Sequence, residues 1–370
     1  HNLHTCRCLC PVSLIVESVN VNSPPSPPSI MNQASFVEIH ENFPGGLAAY
    51  RRQTIHRINS NDPRVIQVHI DNILSQDEGD VESFASALRG NTHLKYVCFG
   101  NDEYDMDHLD KVLSALAETK VIEIGIWELL ASSSTSRRVI CSNYYATRIG
   151  ETIESMPMIT KLVFRGCSLG PPTAISLAEN ITGNKTLEHI DLSGNAIGDD
   201  GAIALATALR KNNVLKELIL DNNELSVSGQ SALRNSIYDD SSFDALEDSN
   251  HTIQTFFFFT PRSVFGKAVM NDCFHSLAAN LRSRSKKEAI TKKIQRYLQK
   301  KHSVKLHHQS FLSMQTGVMP HLLGFISLRC DIRTMYDIIR HMPHLLELGE
   351  EVGKKDGADQ LNDQLGLLKI

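Results

Sequence analysis

Three cysteines at alternate positions, Cys6-x-Cys8-x-Cys10, are the first side chains whose type and spacing could do chemistry, since clustered thiolates suit a soft metal. No second ligand group stands at a zinc-site distance along the chain, so the reading is an unstructured tail and no metal site is expected. The other five of the eight cysteines, Cys98, Cys141, Cys167, Cys273 and Cys330, are scattered singly and make no disulfide framework. Catalytic patterns are missing too. There is no glycine-rich phosphate loop ending in Lys-Ser/Thr, no HExxH metal helix and no serine nucleophile elbow. His307-His308 and the acidic residues near Asp239 are isolated by type and context. No catalytic residue and no cofactor is predicted, and the chain is not expected to be an enzyme.

The chemistry that remains is recognition, and it depends on a repeat. Apolar residues recur as "apolar, two variable, apolar, one variable, apolar", with anchors at Val65, Leu94, Val121, Ile159, Leu187, Leu215 and Ile253. The spacings are 29, 27, 38, 28, 28 and 38, so the two long ones read as ordinary units carrying an insertion. The inserted residues are assigned to 131–138, which is Ser-rich, and to 238–250, which is acidic and turn-rich, and both are expected to be exposed loops.

Each unit reads as a short strand followed by a helix. Alternation along a strand turns Leu187, Ile190 and Leu192 inward, and Asn195 can satisfy backbone groups where the chain leaves the strand. Asn223 and Cys167 occupy the same position in their units. The helices then turn Leu177 and Ile181, Leu205 and Leu209, and Leu233 and Ile237 inward at four-residue spacing. Gly201 and Gly229 are assigned to close turns just before their helices. One unit cannot bury its own apolar face, so a neighbour on each side must complete the core.

Residues 159 to 237 resemble leucine-rich repeats of the ribonuclease-inhibitor type, the kind also found in NOD-like receptors and in the activator of the Ran GTPase. The earlier units depart from the pattern, with Ile73, Asp102 and Leu129 where the later ones carry Asn or Cys. The resemblance implies an α/β leucine-rich repeat solenoid, a horseshoe with a parallel concave sheet, convex helices and a helical C-terminal cap. The nucleotide-binding domain of a NOD-like receptor has no counterpart here.

In such a solenoid the variable strand positions share the concave face, which can change without disturbing the core. Here that face would carry Tyr96, Trp127, Arg165, Glu188, His189, Asp191, Lys216, Glu217, Asp221, Phe257 and Phe259 as partner-binding residues. Trp127, the single tryptophan, points outward in this register, either as a contact residue or packed under the inserted loop. Of Phe256 to Phe259, two rings must face inward; the outward pair either binds or is covered by later helices.

Residues 1–35, with Pro24-Pro25-Ser26-Pro27-Pro28, read as a flexible tail. Residues 36–64 read as an N-terminal cap or degenerate repeat, 65–282 as about seven repeats, 283–348 as a helical cap and 349–370 as a polar tail. Within the cap, Lys286 to Lys301 shows an inward stripe of Ile290, Ile294 and Leu298 with its lysines elsewhere.

Charge is uneven. Residues 151–250 hold 15 acidic and 7 basic side chains, and 262–307 hold 12 basic and 2 acidic. The basic end reads either as a contact patch or as the solvated outer face of a capping helix, with Lys286-Lys287 and Lys292-Lys293 offering an import-signal pattern. The net charge of -5 is too small to point to nucleic acid or a membrane, and no apolar run approaches the roughly 20 residues of a membrane span. Because the first residue is His1 rather than Met, the sequence is read as a piece, and an N-terminal extension could carry a targeting signal or a further domain. The expectation is an intracellular, cytoplasmic monomer acting as a protein-protein interaction scaffold. The alternative implied by the resemblance is a regulator of a partner enzyme, either an inhibitor or a GTPase activator.

Overall fold

The computed structural model describes residues 46–71, 73–74, 76–100, 106–127, 148, 151, 154–156, 158–258 and 267–300. The chain divides into two compact units, 1–50 and 51–370. Among the described residues the first unit contributes only the start of helix α1 (Gly46–Asn59), and the second contributes all the rest.

That second unit alternates strands with helices: β1 (Gln67–Asp71), α2 (Glu78–Gly90), β2 (Tyr96–Gly100), α3 (Met106–Ala117), β3 (Glu123–Trp127) and β4 (Lys161–Arg165). It continues with α4 (Pro171–Gly183), β5 (His189–Asp191), α5 (Gly198–Lys211), β6 (Glu217–Ile219), α6 (Val227–Ile237) and α7 (Phe243–Glu247). Last come β7 (Thr255–Phe257), α8 (Lys267–Leu281) and α9 (Lys286–Lys300). The seven strands form one parallel sheet in chain order.

The sheet register realises the apolar ruler. Val68, Val97, Ile124, Leu162, Ile190, Leu218 and Phe256 are successive partners across the seven strands. All seven are buried, as are the residues two positions on, from Ile70 to Phe258, and the seven anchors. Each coil thus lays three apolar residues against those of its neighbours, at about 1.5–3 kcal/mol for each large side chain removed from water. The helical pairs Leu177 and Ile181, Leu205 and Leu209, and Leu233 and Ile237 close the same core.

Two sets of asparagines fasten coil to coil. Asn195 Oδ1 accepts from the N–H groups of Cys167 (2.9 Å) and Leu169 (3.1 Å), while its Nδ2 donates to Phe164 O and Leu192 O, both at 2.7 Å. Asn223 repeats this, with Nδ2 donating to Leu192 O (2.8 Å) and Leu220 O (2.9 Å) and Oδ1 accepting from Ile197 N (3.3 Å). At the equivalent place Cys167 turns its thiol to Ile126 O (3.4 Å) and Arg165 O (3.3 Å).

The second set, which the ruler did not single out, stands three residues before four of the anchors. Asn91, Asn184, Asn212 and Asn250 each accept two N–H groups leading into the next strand. Asn91, Asn212 and Asn250 also donate to carbonyls of the preceding coil, as Asn212 does to Ile181 O at 2.8 Å.

Three expectations need correction. Gly201 and Gly229 lie inside α5 and α6, not in turns before them. A Cβ on Gly201 would come within 2.7 Å of Ala174 Cβ, and one on Gly229 within 3.2 Å of Ala202 Cβ, so glycine is needed where neighbouring helices touch. The insertion at 238–250 is not an exposed loop. It forms α7, which packs on α9, and buries Tyr238, Leu246 and Asn250. Lys293 does not share the solvated face of α9: it is 1% exposed and falls between the buried Ile290 and Ile294. The insertion assigned to 131–138, the tails and the cap beyond residue 300 lie outside the described residues.

Candidate protein-interaction face

On the sheet face opposite the apolar columns, strand register sets which side chains adjoin. One column runs Gln67, Tyr96, Glu123, Lys161, His189, Glu217 and Thr255. The next runs His69, Cys98, Gly125, Val163, Asp191, Ile219 and Phe257. A third places Trp127 beside Arg165.

Oppositely charged residues of adjoining coils pair on and beside these columns. Lys216 Nζ lies 2.7 Å from Glu188 Oε1, and His189 Nδ1 lies 2.9 Å from Glu217 Oε2. Lys161 Nζ lies 3.9 Å from Glu123 Oε2. Arg165 Nε donates to Asp191 Oδ2 at 2.7 Å, and its Nη2 meets the same oxygen. Burial pushes the Glu123 carboxyl above the usual carboxylate range, while the positive charge of Lys161 and then of His189 pulls it back. Partly exposed pairs of this kind contribute only about 0–1 kcal/mol each to stability.

The expected contact residues therefore differ in exposure. Arg165 and Phe257 are exposed, and Tyr96, Glu188, His189, Lys216, Glu217 and Asp221 are half-buried. Asp191 departs from expectation: it is only 5% exposed, because flanking strands shelter its column and it accepts from Arg165 and from the Ser193 hydroxyl (2.7 Å). It orients Arg165 rather than offering a surface of its own. The Trp127 backbone closes β3, but its side chain, like Phe259 as a whole, lies outside the described residues. At the β7 end the face turns apolar, with Ile219 half-buried beside Phe257, which is 44% exposed.

A family model described as "Leucine Rich repeat" matches residues 183–206, which span the end of α4, the strand β5, the Asn195 turn and the first half of α5. Joined to the seven-fold register, this decides the architecture. The fold is a leucine-rich repeat solenoid. Solved structures similar to it include one titled "Leiomodin-1 Actin-Binding Site 2 (ABS2)", at 16% identity and a TM-score of 0.26, covering 68% of this chain and 96% of that one. Another is a tropomodulin C-terminal domain from Caenorhabditis elegans, at 11% identity and a TM-score of 0.27, covering 63% and 95%. At these values neither bears on what the solenoid binds. No curated protein sequence matches it. No helix among its described residues is long and apolar enough to cross a membrane.

Proposed function

We propose that the protein is an interaction scaffold that holds a protein partner on the open face of its sheet. The observation that supports this is the register, in which Arg165, His189, Glu217 and Phe257 belong to four successive strands, with the Glu188–Lys216 ion pair just before two of them. The surface offers paired charges with an exposed aromatic ring at its β7 end. An incoming partner can exchange those ion pairs for its own at little cost to the fold, since each stabilises it weakly. Aromatic and arginine side chains are the residue types that dominate binding energy. We take the units to be of the ribonuclease-inhibitor type, in keeping with the 28-residue spacing and a full helix in each complete unit, and the protein to act as an intracellular monomer.

The test is affinity capture from a cell extract with the full chain and with the triple variant Arg165→Ala, Lys216→Ala, Phe257→Ala. The triple variant should lose its specific partner while its circular-dichroism melting curve stays nearly unchanged. Capture of the same partner at the same yield would rule this face out.

A further inference from the structure

The seventh coil ends unlike those joined by an asparagine. Inside the last turn of α8, Asn280 donates from Nδ2 to Ile253 O at 2.7 Å and to Asn250 O at 3.5 Å, within its own coil rather than back to the preceding one. The residues two and three positions on, which should return their N–H groups to its Oδ1, are turned away. Arg282 N donates to Ala278 O (3.0 Å) and Ser283 N to Asn280 O (3.3 Å), starting the turn into α9. Asn280 Oδ1 is left buried with no hydrogen-bond partner among the described residues.

Two further orphaned atoms lie in the same region. Ser276, 1% exposed and one helical turn before Asn280 on α8, has a buried Oγ with no partner among the described residues. His251 donates from Nε2 to Glu247 O at 2.9 Å, which leaves its buried Nδ1 without one. Lys293 of α9 completes the set, its Nζ donating to Ile237 O (2.8 Å) and Asn250 O (2.5 Å). Burial drives the Lys293 ammonium well below its usual range. Each such group forgoes the hydrogen bonds it would make with water.

Helix α9 is meanwhile tied to itself. Ser285 Oγ accepts from Glu288 N (3.2 Å), Glu288 Oε2 accepts from Arg284 N (2.8 Å), and Lys292 Nζ reaches Glu288 Oε1 at 2.7 Å and Arg282 O at 2.8 Å. It packs on α7 and α8, and its Ala289, Ile290, Lys293 and Ile294 are buried.

We propose that α9 is a reversibly docked lid on the end of the solenoid, which opens as a unit while the coils from β4 to β6 stay folded. Opening would hydrate Ser276, Asn280, His251 and Lys293 together and expose the apolar stripe of α9.

Hydrogen exchange of the full chain, followed by mass spectrometry at pH 7 in increasing sub-denaturing guanidinium, tests this. Peptides from 286–300 should exchange at least about 10-fold faster than those from α5, through an opening that denaturant barely accelerates. Ser276→Ala, which removes a hydroxyl orphaned with α9 in place, should slow exchange in α9 about five-fold and leave α5 unchanged. Exchange of α9 only in step with α5, or faster exchange of α9 in the alanine variant, would overturn the proposal.

Discussion

The coils from β4 to β6 and the closure around α7, α8 and α9 solve one problem in opposite ways. Both must bury backbone groups where the chain turns between strand and helix. In the middle coils the answer is periodic: Asn195 and Asn223, 28 positions apart, each bridge their own strand to the previous one, and Asn212 and Asn250 bridge coils at the approach to the next strand. At the closure no next coil follows among the described residues, and a lysine fills in for the missing donors. A repeat therefore satisfies its polar groups by copying a neighbour, and the closure, with no next copy among the described residues, uses side chains that occur once. The middle should fail only as a whole, and the end should fail by itself.

The harshest way to break the middle is Leu192→Asp. Leu192 is buried between coils, its N–H donates to Ile219 O (2.9 Å) and its carbonyl accepts from both Asn195 and Asn223. An unpaired carboxylate there should cost more than about 4 kcal/mol and dissolve several coils together. Far-UV circular dichroism in a urea titration should show loss of the main transition. A midpoint close to that of the unaltered chain would contradict the shared core.

A gentler break tests the ladder itself. Asn195→Ala removes two donated and two accepted hydrogen bonds at a buried site, for an expected loss of about 2–4 kcal/mol by urea unfolding. Cys167→Ala, at the same station but with a single thiol donor, should cost less. Equal losses would mean that the two stations do not carry the ladder by hydrogen bonding.

What could be read from residue order follows the same division. The columns from Val68 to Phe256 were legible because strand alternation repeats and each member is aliphatic or aromatic. The asparagines at 91, 184, 212 and 250 carried a readable signal, a fixed place three residues before an anchor, that the apolar ruler passes over. Gly201 and Gly229 share a spacing of 28, but composition cannot tell a turn glycine from one required by helix contact. Asp191 sits at an outward position yet is covered by the strands beside it, which a single strand's pattern does not contain. Lys293 and the residues of α7 were illegible because they occur once. No second copy reveals that a lysine in a Lys-rich stretch faces inward.

The smallest expected effect sharpens the contrast at the closure. Burial is the main reason the His251 imidazole is held down to about 3, from 6.5, with the positive charge of Lys293 acting in the same direction, and Lys286 adding to it. Lys293 and Lys286 belong to α9, Cys273 of α8 lies near Lys293, and Glu247 of α7 offers its carbonyl to the ring. A histidine whose folded value is depressed stabilises the fold fully above its unfolded value and loses that contribution as pH falls from 6.5 towards 3. Going from pH 7 to pH 5 should therefore cost about 2 kcal/mol at the closure, at 1.36 kcal/mol per pH unit below 6.5. Hydrogen exchange at the two pH values, corrected for the intrinsic rate, should show α9 losing protection while α5 keeps it. His251→Gln, which retains a side-chain donor for Glu247 O but does not titrate, should flatten that dependence. If the glutamine variant kept the same pH response in α9, His251 would not be its source, and the acid sensitivity of the end would have to be sought in Lys293 alone.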